Sequence, residues 1–309
     1  MKLVFAGTPA TAARTLQALL AGPHEVVAVL TRTDAPVGRK RVLTPSPTAQ
    51  VAEAAGIPVI KANKVDEAVA DQLKATGAEL GIIVAYGALL KNFALEALPL
   101  GWANLHYSLL PKWRGAAPVQ NSIMAGDTET GVTMFKLDEG MDTGPIYGVV
   151  PTVIQPGETS GRLLERLTEL GITLMNQVLP ELEAGITKPT PQIANADLPL
   201  AAKPTRELAA IDWNRSAREL ERLILAMNPE PMAHTRIGED SFRILDAVSL
   251  GRAEGETTPG TLRLEPKRVL VECGEGTLLQ LKTVQPAGKN PMPALDWARG
   301  AAGKVSQLG

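Results

Sequence analysis

Asn104-Leu105-His106-Tyr107-Ser108-Leu109-Leu110-Pro111 is the stretch from which the rest of the chain is read. It follows a turn-prone Pro99-Leu100-Gly101. Trp102 to Leu105 is apolar apart from Asn104, which predicts a short buried strand with polar residues at its C-terminal end. Ligands of open α/β sheets sit at that end. Residues two apart on a strand share a face, so Asn104 and His106 aim at one spot while Leu105 turns away. Downstream, a helix around Ala116 to Ala125 and a strand over Gly131 to Leu137 lead to Asp138-Glu139-Gly140-Met141-Asp142-Thr143-Gly144. The glycines at 140 and 144 let this loop fold back sharply, carrying Asp142 with it.

An amide, an imidazole and a carboxylate can divide the work of acyl transfer. Asn104 would donate to a developing oxyanion and His106 would donate or shuttle a proton. Asp142 would hold the imidazole and raise its pKa, keeping it cationic. That division suits attack on a carbonyl by an external nucleophile. Ser108 shares a face with His106 but precedes Leu-Leu-Pro, a loop signal rather than a nucleophile elbow. An Asn-x-His pair on a buried strand is more often a hydrogen-bonded core pair, so spacing alone leaves both readings open.

Working outward, Leu3 to Ala6, His24 to Thr31, Pro58 to Ile60 and Leu80 to Tyr86 read as further strands. Helical patterns lie at Ala12 to Leu20, Thr48 to Ala55 and Val65 to Thr76. This alternation is that of a doubly wound parallel sheet, a Rossmann-like α/β domain over residues 1–185. Gly7-Thr8-Pro9 has one glycine where a dinucleotide fold places three, which discounts NAD. Pro145 to Ile154 is expected as an antiparallel edge strand, and Thr159 to Leu182 as a long amphipathic helix. From Gly185 to Pro204 periodicity gives way to prolines, so residues 186–204 read as a linker. After a helix at Ser216 to Met227, short strands between Gly and Pro turns lead us to expect a smaller OB-like β-barrel over 205–309.

Composition narrows the classes. The chain has 309 residues, 31 Lys and Arg against 33 Asp and Glu, a net charge of −2, one cysteine (Cys273) and three histidines. A nucleic-acid partner would therefore need a local basic patch, since no global excess provides one. No intramolecular disulfide is possible, and a metal bound by several histidines is not expected. No leader pattern stands at Met1-Lys2-Leu3 and no apolar run reaches membrane-spanning length. We expect a cytoplasmic protein without membrane attachment.

Three motifs carry a resemblance: Asn104 to Pro118 (Asn-Leu-His-Tyr-Ser-Leu-Leu-Pro-Lys-Trp-Arg-Gly-Ala-Ala-Pro), Gly126-Asp127-Thr128-Glu129-Thr130-Gly131-Val132-Thr133, and Met141-Asp142-Thr143-Gly144. The whole chain resembles the methionyl-tRNA formyltransferases. The resemblance implies that Asn104, His106 and Asp142 are the catalytic trio and that Ser108, Leu109, Leu110 and Pro111 line the folate site. It implies 10-formyltetrahydrofolate as co-substrate with no metal, methionyl-initiator-tRNA as partner, and a C-terminal domain that helps hold the tRNA. A monomer is expected. Ile83, Val84, Leu109 and Leu110, with backbone near Leu137 to Gly140, are the expected walls of the pterin slot. A formyltransferase acting on an amino-sugar nucleotide or another small amine is the alternative.

Between the second strand and its helix, Arg32 to Pro47 is long for a βα connection and carries Arg39, Lys40 and Arg41 beside Gly38. A solvated charge run would look the same. The resemblance implies that this loop contacts tRNA. The chain departs from the family pattern at Lys40, Val42, Thr11 and Tyr107; Thr11 stands where a Phe is usual and Tyr107 where a small residue is usual.

Overall fold

The computed structural model describes residues 1–38, 40–193, 198–301 and 304–309. The first part of the chain runs β1 (Lys2–Gly7), α1 (Ala10–Leu20), β2 (Glu25–Thr31), β3 (Ala35–Val37), β4 (Val42–Thr44), α2 (Pro47–Ala54), β5 (Val59–Lys61) and α3 (Glu67–Ala75). It continues through β6 (Leu80–Val84), α4 (Asn92–Leu95), β7 (Trp102–His106), α5 (Pro118–Ala125), β8 (Glu129–Lys136), β9 (Ile146–Val153) and α6 (Ser160–Glu183). One seven-stranded sheet takes the order β5-β2-β1-β6-β7-β8-β9. Its first five strands are parallel, and β8 and β9 are antiparallel, as the sequence leads one to expect. The order reverses between β1 and β6, so the crevice at the strands' C-terminal ends opens there, one strand from β7.

The central strands are continuous apolar runs because both faces of the sheet are covered. Leu3, Val4, Phe5 and Ala6 of β1 are fully buried. Trp102 anchors the start of β7: its indole is buried and donates to Ala94 O at 2.8 Å. Gly81 of β6 lies beneath it, and a Cβ there would overlap the ring.

The second part holds α7 (Ala217–Met227), β10 (His234–Ile237), β11 (Asp240–Arg252), β12 (Leu262–Glu265), β13 (Arg268–Cys273), β14 (Thr277–Pro286), β15 (Met292–Pro293) and α8 (Ala294–Ala301). Leu220, Leu223, Ile224 and Met227 of α7 form the buried face, and they join Phe242, Val271 and Leu279 in one apolar cluster. The antiparallel path is β10-β11-β14-β13-β12, with β15 beside β14. The expected barrel is not seen as a closed sheet: among the described residues no ladder joins β10 to β12. The thirteen-residue β11 pairs with both β10 and β14 and shifts register repeatedly along β14, which bends the ribbon without sealing it.

The chain divides into two compact units. One contains residues 1–118, 129–153 and 164–201; the other contains 119–128, 154–163 and 202–309. Among the described residues no helix is long and apolar enough to cross a membrane, and no cluster of three His, Cys, Asp or Glu could hold a metal ion.

Candidate active site

β7 delivers Asn104 and His106 to the same face, opposite Phe135 and Thr133 of β8. Asn104 is half-buried and His106 nearly fully buried. The imidazole stands edge-on to the Phe135 ring, with centroids 6.3 Å apart, and its Nε2 lies 2.8 Å from Trp113 O. A carbonyl can only accept, so Nε2 carries a proton and donates it there. Nδ1 lies 3.7 Å from Asp142 Oδ2, too long for a hydrogen bond and within ion-pair reach once the ring is charged. Burial pushes the imidazole below its ordinary pKa, and the Asp142 charge and the Trp113 carbonyl pull it back only in part. Against the expectation of a cationic imidazole, this balance favours the neutral ring, which would leave the Nδ1 lone pair to accept.

Asp142 adopts φ +53°, in the left-handed region that side chains other than glycine rarely occupy. Its Oδ2 accepts from the backbone N–H of Gly115 at 2.8 Å. On the other side of the turn, the Asp138 carboxylate accepts from Gly140 N–H at 3.1 Å and from Thr143 Oγ1 at 2.7 Å. Residues of the expected linker are bonded here too. Thr190 and Ile146 exchange both backbone hydrogen bonds at 2.8 Å, and Gln192 Nε2 donates to Asp142 O and Gly144 O at 2.9 and 2.7 Å. Ala201 lies parallel to Gly115, accepting from Ala116 N–H and donating to Arg114 O. A Cβ on Gly115, at φ +120°, would press into Ala201 O.

Asn104, His106 and Asp142 all line one cavity of about 990 Å³. The β6–α4 connection supplies much of its wall, with Ile83, Leu90, Phe93 and Leu95 giving an apolar end. Leu137 to Met141 also line it, with Leu137 packed against the same apolar cluster as Leu90, Phe93 and Leu95. The turn after β6 is held by Thr8 Oγ1 donating to Tyr86 O, Tyr86 Oη donating to Ala62 O, and Arg32 Nη1 donating to Gly87 O.

Ser108, Leu109, Leu110 and Pro111 lie outside that lining, as does Val84. The Ser108 hydroxyl is buried and donates to Lys112 O, while Leu110 N–H donates to the Thr133 hydroxyl. Leu109 packs against Gly131 of β8. The segment braces the loop that presents the Trp113 carbonyl and Gly115 amide.

The Arg32–Pro47 connection contains the antiparallel hairpin β3–β4, paired through Pro36 and Leu43. Lys40 and Arg41 are exposed near its tip, and Arg39 lies outside the described residues. Among the described residues, none of the cavity wall comes from this tip, but the Arg32 bond to Gly87 ties the root of the hairpin to the wall. Sequence reasoning missed the Gly115 amide, the Trp113 carbonyl, the Ala85–Asn92 wall and Gln192. Gly87 was a signal for a special turn; Gln192 left none, because its partners lie about fifty residues away.

A family model described as formyl transferase matches residues 1–179, and one described as formyl transferase, C-terminal domain, matches 203–302. A methionyl-tRNA formyltransferase of Clavibacter sepedonicus is 45% identical over 304 residues, 98% of each chain. One from Arthrobacter sp. (strain FB24) is 47% identical over 97% of each. Among solved structures, the fold is similar to that of the N-formyltransferase from Helicobacter canadensis in complex with folinic acid and dTDP-3-aminofucose. There the TM-score is 0.67 at 18% identity, covering 93% of this chain and 99% of that one. HypX from Aquifex aeolicus in complex with tetrahydrofolic acid gives a TM-score of 0.65 at 16% identity, over 99% of this chain and 48% of that one. At these identities the two structures speak for the fold alone.

Proposed function

Because the chain belongs to the methionyl-tRNA formyltransferase family, we propose that its cavity brings the formyl group of 10-formyltetrahydrofolate to the α-amino group of methionyl-initiator-tRNA. The observation that carries this reading is the convergence of Asn104, His106 and Asp142 on one cavity with an apolar end. A pterin needs an apolar slot with a few polar groups at its rim. Ile83, Leu90, Phe93 and Leu95 provide the slot, and the backbone around Leu137 to Gly140 provides the rim. Ser108 to Pro111 serve this site from behind, by fixing the loop that follows β7.

As the amine attacks the formyl carbon, negative charge grows on the formyl oxygen, where the Asn104 amide donates to it. The amine must lose a proton. His106 Nδ1, held unprotonated by burial and oriented by the Nε2–H bond to Trp113 O, accepts it. The resulting imidazolium finds the Asp142 carboxylate at 3.7 Å, and that attraction makes the transfer favourable only while the charge exists. The same proton returns to the departing folate nitrogen, so the site ends as it began.

Residues 205–309 are the tRNA-holding part of this proposal, as an OB-like module whose sheet is open, and Arg39, Lys40 and Arg41 act as a second contact. On this reading the protein acts in translation as a cytoplasmic monomer. The test is transfer of labelled formyl to charged initiator tRNA, with and without the folate donor, beside an amino-sugar nucleotide as competing acceptor. Formylmethionyl-tRNA formed only with donor supports the reading; label on the sugar instead would replace it with the small-amine alternative.

A further inference from the structure

Asp142 has to hold an unfavourable backbone conformation to bring its carboxylate to His106. Its φ of +53° is one that L side chains rarely adopt, so the turn must be held from outside. Asp138 secures the residues before and after it through Gly140 and Thr143. The backbone of Asp142 itself is held by another residue. Both hydrogens of the Gln192 amide are used there, one on Asp142 O at 2.9 Å and one on Gly144 O at 2.7 Å. Only the NH2 end of the amide can donate to carbonyls, which fixes its orientation. That choice leaves Gln192 Oε1 buried with no hydrogen-bond partner among the described residues, a cost the two donated bonds must offset.

The same stretch of chain secures the other end of the Asp142 contact. Gly115 donates to Asp142 Oδ2, and Ala201 clamps the backbone on both sides of Gly115 through Arg114 O and the Ala116 and Ala117 amides. Backbone bonds between Thr190 and Ile146 fix the chain two residues before Gln192. The carboxylate is thus set by the Gln192 amide on the backbone of its own turn and by the Gly115 amide on Oδ2.

We infer that Gln192 is a positioning residue for formyl transfer: its amide holds the Asp142 turn so that the carboxylate faces both Gly115 and His106. It touches no reacting atom. This rests on the role given above to Asp142, and it adds a residue from a stretch whose sequence reads as a spacer.

The test compares Gln192→Ala, Gln192→Met, Asp142→Asn and the Gln192→Met/Asp142→Asn double variant in the full chain. Gln192→Met keeps the side chain's length and packing while removing the donor, and it is the variant read if Gln192→Ala unfolds. Turnover should fall on the order of 10- to 100-fold in the single Gln192 variants, because a carboxylate displaced by about 1 Å loses most of its effect. KM for the folate donor should stay within about twofold of wild type. In the Asp142→Asn background, Gln192→Met should cost little more, since the group it positions is already gone. Wild-type turnover in Gln192→Met, a loss confined to KM, or a full additional loss in the double variant overturns the inference. Full activity in Asp142→Asn would instead overturn the role of the carboxylate, so the two failures are distinguishable.

Discussion

At the scale of single residues, the site depends on how one imidazole is charged. His106 is buried between Phe135 and the Trp113 carbonyl, and desolvation holds it below its ordinary pKa against the pull of Asp142. A base that must be neutral in the free enzyme gives an acid limb in kcat/KM at its own pKa. Asp142 raises that pKa, so Asp142→Asn should move the limb to lower pH as well as depress turnover. A pH–rate profile whose limb stays in place or moves upward would show that the carboxylate does not act on His106. Asn104→Ala should lower turnover by roughly 100-fold or more while donor binding survives, because its contact forms mainly in the transition state. Single-turnover rates alongside equilibrium donor binding check this, and parallel losses in both would make Asn104 a binding group. Two departures from the family pattern also meet here. The buried Tyr107 hydroxyl lies within hydrogen-bond distance of Thr168 Oγ1 and close to Thr15 and Thr11, so a larger residue at 107 is matched by a smaller one at 11. The Tyr107 side chain is spent on packing against α1 and α6.

At the scale of elements, β7 is the part that must not move, and Trp102 holds its start. The indole covers Gly81 on the neighbouring strand and donates to Ala94 O. Gly81→Ala would drive a methyl group into that ring with no flexible side chain to yield, at a cost of about 1–3 kcal/mol. Because β6 and β7 pair from Gly81–Trp102 to Ile83–Asn104, the displacement should reach Asn104. Urea unfolding should show the loss of stability and turnover should fall with it; unchanged stability would mean that the core absorbs the methyl. The same elements show what was legible beforehand. Strands and helices with a clear period were, since β7, β8, β9, α6 and α7 follow from spacing and cap residues within a few positions of one another. Hairpin β3–β4 was not, because its strands are three residues long and exposed, with no buried face to leave a pattern. Helix α8 escaped for a similar reason: it buries Ala294 and Ala298, and the Trp297 contact with Phe242 is a feature of the folded unit alone. The convergence of Asn104, His106 and Asp142 on one cavity was legible because the first two share a face of β7 and the third lies in a Gly-flanked turn. Gln192 could not, since a proline-rich stretch looks the same whether it is loose or bonded across fifty residues.

For the molecule as a whole, the question is how a chain of net charge −2 attracts a polyanion. Basic and acidic residues balance from Pro204 onward as well, so segregation of charge has to do what total charge does not. The cluster Arg39, Lys40 and Arg41 is the densest short run of positive charge, and its hairpin is rooted by Arg32 on the Gly87 carbonyl of the cavity wall. Thr33 exchanges hydrogen bonds with Asn63, and Asp34 pairs with Lys61, so the base of the hairpin is fixed while Lys40 and Arg41 reach solvent. Cations presented this way release counterions when they meet phosphates, which makes binding fall with salt in proportion to the number of contacts. Replacing all three with Ala should therefore weaken tRNA binding and flatten its dependence on log salt by about two to three in slope. Donor binding should not change, because the described residues of the tip, Lys40 and Arg41 among them, contribute nothing to the cavity wall. Affinities of wild type and triple variant for charged initiator tRNA at several salt concentrations decide the matter. Coincident slopes would make the run a solvated excursion and leave recognition to residues 205–309, whereas a parallel fall in donor affinity would place the hairpin in the small-molecule site.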